Sequence, residues 1–271
     1  MHVGETTLKF LVMTDIEGAS GVTTFAQAKS DFGKKMLMHD LKAVLAGIHE
    51  AGAEAIVYDM HTDGRNVNME EIDVPVVMGK PILPQLWCGV GGKEIDGLFM
   101  IGLHTMQNVN GALLAHSYRH EYEAIYINGL LVGEIGVEAA LAGEQGVPLK
   151  LVSGDDLGCT EGQQLIPELV TCVVKTSLTA ETGICLPPAQ TAGMLKAAAR
   201  EAVGKKIDPF VIKPPYEIKI VFSESVRLAA MKSLHPEIFV DERTVRLKGD
   251  KLLEIWSRYL IYEREMVQAC R

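Results

Sequence analysis

The 271-residue sequence has no C-x-x-C pair, no apolar run long enough to cross a bilayer and no excess of basic residues. Each absence removes a class of function. Five scattered cysteines (Cys88, Cys159, Cys172, Cys185, Cys270) are odd in number and lack zinc-finger spacing, so free thiols in a reducing compartment are expected rather than a disulfide framework. Without an apolar stretch of about 20 residues, a membrane span is not expected. The run Leu8–Met13 is shorter than a secretory core and passes straight into acidic residues, so the cytoplasm is the expected compartment. A net charge of −9 argues against nucleic acid as a partner, because phosphate binding needs a basic face. No repeat of 20–50 residues is visible, which removes solenoids. What remains is ordinary globular composition, 48% apolar and 23% charged, in a chain long enough for one large α/β domain with a smaller companion.

Apolar runs alternate with helical periodicity along most of the chain. Leu8–Thr14 reads as a buried strand ending at Asp15. Met36, Leu37, Leu41, Val44, Leu45 and Ile48 then recur at helical spacing up to Gly52, and Glu54–Asp59 reads as the next strand. Strand–helix–strand order implies a right-handed parallel crossover. Further strands are expected at Val74–Met78, Gly97–Gly102, Leu149–Val152 and Leu169–Val174. Asn128–Gly129 marks a tight hairpin between Glu123–Ile127 and Leu130–Val132, and helices are expected over Glu134–Glu144 and Thr191–Val203. The expected fold is α/β: three layers, a largely parallel sheet with helices on both faces, and a smaller C-terminal α+β lobe. The Pro- and Lys-bearing stretch from Lys205 to Pro215 places the boundary, giving a metal-binding catalytic domain over residues 1–205 and a lobe over 206–271. The lobe should hold strands at Glu217–Phe222 and near Ile238 and Val245, and helices over Ser225–Met231 and Lys251–Met266.

Three strand-like runs end in metal-capable groups: Asp15 with Glu17, Asp59 with His61, and His104. In an open parallel sheet the ligand crevice lies beyond the carboxyl ends of the strands. Glu134 stands where the hairpin runs into a helix, between Gly133 and Gly136. Each group alone has a bland reading as a loop cap, a first-turn acid or a core histidine. Their repetition at one sheet edge points instead to a metal site. Two histidines and three carboxylates suit a two-metal centre with one carboxylate shared, and mixed imidazole and carboxylate donors favour zinc, manganese or cobalt. His116 is the remaining candidate for acid–base work, against the alternative of a structural histidine. His120, His39, His49 and His235 read as surface or structural residues. Gly89–Lys93 lacks the frame of a phosphate-binding loop, and Asp155–Asp156 reads as a helix cap.

Asp15–Ile16–Glu17–Gly18–Ala19–Ser20–Gly21 resembles the opening motif of the D-aminopeptidases of the DppA type, peptidase family M55. Asp59–Met60–His61, Gly102–Leu103–His104, His116–Ser117 and Gly133–Glu134–Ile135–Gly136 resemble its later motifs in order and spacing, as do Gly154–Asp155–Asp156 and the stretch from Val174–Lys175 to Pro187. The resemblance implies two zinc ions per subunit, with Asp15 bridging, Glu17 and His61 completing one site, and His104 and Glu134 the other. It implies a catalytic role for His116, short substrates beginning with D-amino acids such as D-Ala-D-Ala, and a ring-shaped homodecamer. The chain departs from the motifs at Met13 and Met60, positions expected to touch the pocket wall or the ligands' supports. Two other readings are an amidase or other small-molecule hydrolase on the same binuclear centre, and a non-catalytic, metal-stabilised peptide-binding protein.

Overall fold

In the computed structural model, which describes residues 7–271, the first apolar run becomes β1 (Lys9–Thr14), buried at every position but the first. Neighbouring side chains on a strand point to opposite faces, so such a strand needs cover on both. Phe10 and Val12 join one hydrophobic cluster, Leu11 and Met13 the other. A single helical turn, α1 (Phe25–Ala28), leads into α2 (Asp31–Glu50), capped by the Ser30 hydroxyl. Gly52, at φ +75°, takes the left-handed turn that ends it. The chain then forms β2 (Glu54–Asp59), parallel to β1, and the two-residue β3 (Val76–Val77). The fully buried β4 (Gly97–Leu103) pairs with the opposite side of β1.

A hairpin follows, β5 (Tyr122–Ile127) and β6 (Leu130–Val132), with Asn128 and Gly129 both at positive φ as its two-residue turn demands. It runs through Gly133 into α3 (Glu134–Glu144). The main sheet resumes with β7 (Leu149–Asp155), α4 (Asp156–Leu165), β8 (Val170–Thr179), β9 (Thr182–Cys185) and α5 (Pro188–Gly204). Its seven strands lie in the order β3-β2-β1-β4-β7-β8-β9, parallel except for β9. One cluster joins the sheet to α2 and α5, the other joins its opposite face to α3 and a second sheet. β2 and β4 leave β1 on opposite sides, so the topological switch point falls between β1 and β4.

The last segment supplies β10 (Tyr216–Phe222), α6 (Val226–Leu234), β11 (Thr244–Gly249) and α7 (Leu252–Ala269). β10 and β11 do not form a sheet alone. They extend the mid-chain hairpin into an antiparallel sheet, β11-β10-β5-β6. The strand expected near Ile238 is instead a 3₁₀ turn, Pro236–Ile238, because Pro236 fixes φ and lacks a backbone donor. Among the described residues no helix is long and apolar enough to cross a membrane.

Candidate metal centre

Beyond Thr14 the chain folds over the end of β4, backbone against backbone. The Asp15 N–H donates to the Ile101 carbonyl at 2.9 Å and the Gly18 N–H to the Gly102 carbonyl at 2.7 Å. Side chains are excluded here: a Cβ on Gly18 would lie 1.8 Å from the Leu103 carbonyl oxygen, and one on Gly102, at φ +73°, 2.1 Å from that of Asp15. On its other side the loop is held by two buried charges. Ser20 donates its N–H and hydroxyl to Asp40 of α2, at 2.8 and 2.7 Å. The Lys175 ammonium of β8 donates to the carbonyls of Glu17, Ala19 and Val22. Burial pushes this amine down to about 8, with Asp155, Cys185, Asp40 and Glu17 opposing. Asp15 and Glu17 emerge buried, facing the crevice.

Asp59 ends β2 but turns away from chemistry. Its carboxylate accepts from the Asn66 and Val67 N–H groups and the Asn66 amide, which also donates to the His61 carbonyl at 2.8 Å. Asp59 shapes the loop; His61 is the residue delivered to the centre. His104 follows β4, and its Nδ1 lies 3.0 Å from the Thr105 carbonyl. A carbonyl only accepts, so Nδ1 carries the proton and the neutral ring keeps its lone pair on Nε2. Glu161 steadies this turn by accepting from the Thr105 hydroxyl and the Met106 N–H. Glu134, in the first turn of α3, accepts from the Tyr118 N–H at 2.7 Å. His116 points Nδ1 at the Leu114 carbonyl, 2.9 Å away, and stacks on His104 with centroids 4.2 Å apart and planes 5° apart.

The five ligand candidates converge. His104 Nε2 lies 3.4 Å from both Asp15 Oδ2 and Glu134 Oε1, and His61 Nε2 lies 3.4 Å from Glu17 Oε1. Donors bound tetrahedrally to one zinc at about 2.0–2.1 Å are roughly 3.3–3.4 Å from one another, so this spacing suits a shared ion. Asp15, Glu17 and His104 form one compact group of ligand atoms; His104, His116 and Glu134 form another. Among the described residues, both His61 ring nitrogens and His104 Nε2 are buried without hydrogen-bond partners. Buried polar atoms are normally satisfied, and a cation is the partner that imidazole lone pairs and carboxylates share.

The charges say the same. Three buried carboxylates meet here, an arrangement that requires positive charge. Burial opposes ionisation of Asp15 and Glu134, yet contact with His104 holds both below the usual carboxylate range. Burial likewise opposes protonation of the histidines, but their carboxylate neighbours raise His61 to about 9 and His104 well above its ordinary value. Protons therefore supply the missing positive charge when nothing else does. His116 moves the other way, lowered by burial and by His104, so it is neutral with a free Nε2.

The family model for D-aminopeptidases, peptidase family M55, matches residues 8–260. The chain belongs to this family. A D-aminopeptidase of Bacillus subtilis (strain 168) is 26% identical over 266 residues, covering 94% of this chain and 96% of the relative. Among solved structures, the zinc-dependent D-aminopeptidase DppA from Bacillus subtilis, described as a self-compartmentalizing protease, superposes with a TM-score of 0.88. It is 24% identical, with 96% of this chain and 98% of that one covered. As an M55 member the chain is a metallo-aminopeptidase, a hydrolase.

The family's motif residues account for the inner ring of the centre but not for what holds it. Asp40, Lys175, Glu161 and Glu138 are buried charges that pattern alone assigns to surfaces or caps. Tyr118 links two of the glutamates, its N–H to Glu134 and its hydroxyl to Glu138 at 2.9 Å. His120 is exposed, as expected, yet its ring stacks on His116 at 5.0 Å, and Phe25 sits edge-on to both rings. Met13 and Met60 are both buried and belong to one hydrophobic cluster. Asp155 caps α4 as expected, accepting from the Gly158 N–H.

Proposed function

We propose that this chain is a zinc-dependent aminopeptidase that cleaves short peptides with an N-terminal D-amino acid, D-Ala-D-Ala among them, through a two-metal centre. The observation that carries the proposal is the convergence of Asp15, Glu17, His61, His104 and Glu134 with unpartnered imidazole nitrogens between them. In this reading Asp15 would be shared between two ions, with Glu17 and His61 holding one and His104 and Glu134 the other. Divalent ions held there would supply Lewis-acid polarisation of a carbonyl and a bound water of lowered pKa. Zinc is the first choice, on the donor set and on the zinc dependence of the similar Bacillus protein; manganese and cobalt suit the same donors.

The protein's own groups divide the remaining work. The three buried carboxylates, Asp15, Glu17 and Glu134, supply the negative charge that cations held there would balance. His116, neutral and with Nε2 free, accepts the proton released as the nucleophile adds and returns it to the leaving amine. The Leu114 carbonyl and the stack on His104 hold its ring in the required tautomer and plane. A ring-shaped homodecamer accords with the self-compartmentalizing description of the Bacillus relative, and free thiols accord with a cytoplasmic site of action. We take residues 1–205 as the catalytic unit and 206–271 as the lobe.

The test is hydrolysis of D-Ala-D-Ala and L-Ala-L-Ala by the purified, zinc-loaded chain, with and without chelator. Chelator-sensitive cleavage confined to the D-dipeptide is expected. Cleavage of other amides but of neither dipeptide would move the chain to a binuclear amidase. Binding of the dipeptide without turnover would make it a peptide-binding protein.

A further inference from the structure

We infer that Lys175 is a positioning residue for the Glu17 side of the centre: a fixed internal cation that orients the Glu17–Gly18 peptide and so aims the Glu17 carboxylate at His61. The inference rests on reading the cluster as a metal centre.

Lys175 is 1% exposed, and its three hydrogen-bond partners are carbonyl oxygens rather than carboxylates. All three belong to one loop, at Glu17, Ala19 and Val22. Carbonyls from a single loop converge in this way on bound cations, and here a side chain supplies the cation. Packing alone does not explain it, since a methionine would fill the space without the cost of desolvating an ammonium.

The geometry names what Lys175 controls. The Glu17–Gly18 peptide is held at both ends, its carbonyl by Lys175 and its N–H by the Gly102 carbonyl at 2.7 Å. Fixing that peptide plane sets the backbone at Glu17 and the direction in which its side chain leaves, towards His61 Nε2 at 3.4 Å. Asp15 depends on a different anchor, the Ile101 carbonyl, and His104 and Glu134 are set by Thr105 and Tyr118. Loss of Lys175 should therefore disable one half of the centre and spare the other.

The experiment titrates the full chain with zinc against a chromophoric chelator, and with Co²⁺ followed by absorption, for the wild type, Lys175→Met, Glu17→Gln and the double variant. Lys175→Met should weaken one binding event by about 10- to 100-fold, the size seen when a ligand's support is removed, and leave the other essentially unchanged. The double variant should be no weaker than Glu17→Gln, because both changes act through one carboxylate. In Lys175→Ala, propylammonium chloride should restore the lost event where tetramethylammonium chloride at equal ionic strength does not. Wild-type affinity at both events in Lys175→Met overturns the inference, as does equal loss at both with no amine rescue. Should Lys175→Met fail to fold, Lys175→Arg, which keeps the charge but displaces the donors, carries the same test of selective loss. If the wild type itself takes up no metal, the metal-centre reading falls and the inference with it; uptake by the wild type with an unaltered Lys175→Met overturns the inference alone.

Discussion

Two loops meet at the centre, and they are held in place by different means. The first, Asp15–Val22, lies against the end of β4 and is gripped by backbone contacts through Gly18 and Gly102, by Asp40 and by Lys175. The second, between β4 and β5, is long and irregular. It carries Asn108, Leu114 and Tyr118 at positive φ, a costly conformation for side-chain-bearing residues. His116 hangs from it by one carbonyl contact and ring stacking. The contrast follows a division of labour. Asp15 and Glu17 sit on the loop fixed by the sheet and His104 directly at the end of β4, whereas His116, proposed to move protons, hangs from the irregular part of the second loop, which gives it reach and access.

Breaking the first loop should cost more than breaking the second. Asp15→Asn removes the carboxylate expected to bridge, so metal analysis should show loss of both ions. Dipeptide hydrolysis should then fall by more than the roughly 10²–10⁴-fold typical of losing a general acid–base group. His116→Ala should stay within that range and keep its metals; unchanged turnover would remove His116 from the chemistry. Gly18→Ala forces a methyl group into the Leu103 carbonyl, and thermal unfolding should register roughly 1–3 kcal/mol of overpacking along with weaker metal binding. The smallest effect belongs behind the second loop, at Glu138. Burial and the Glu134 charge raise its carboxyl to about 7 against opposition from Tyr118. The folded state thus holds a proton that the unfolded chain releases near the ordinary glutamate value of 4.5. That contribution is complete below pH 4.5 and is lost as pH rises through about 7, so stability declines across the window. Glu138→Gln keeps an acceptor for the Tyr118 hydroxyl and should flatten this slope in denaturation series run from pH 4.5 to 7.5.

Much of this arrangement was legible in the sequence because the signals were local. Apolar runs stop at Asp15, Asp59 and His104, and such strands can end only where the sheet edge begins. Asn128–Gly129 dictated its hairpin through backbone conformation alone. Long-range relations were not legible. Nothing in Tyr122–Val132 says that this hairpin pairs with β10 rather than with the main sheet. β9 escaped notice because its pairing with β8 leaves alternate residues exposed at a sheet edge. Lys175 and Asp40 are the instructive cases. A charge in a strand or helix reads as solvated until tertiary structure supplies carbonyls or a buried hydroxyl to receive it. Pro236 carried a signal against a strand at Ile238 that the apolar pattern outweighed in the sequence reading and not in the fold.

The most direct test of the centre is metal stoichiometry in the purified chain, before and after dialysis against chelator and reloading with zinc, with Asp15→Asn measured alongside. Two zinc ions per wild-type chain, and almost none in a folded Asp15→Asn variant, are expected. A folded wild-type chain that takes up no zinc, or an Asp15→Asn variant that keeps both ions, would contradict the assignment of these five residues as the metal centre.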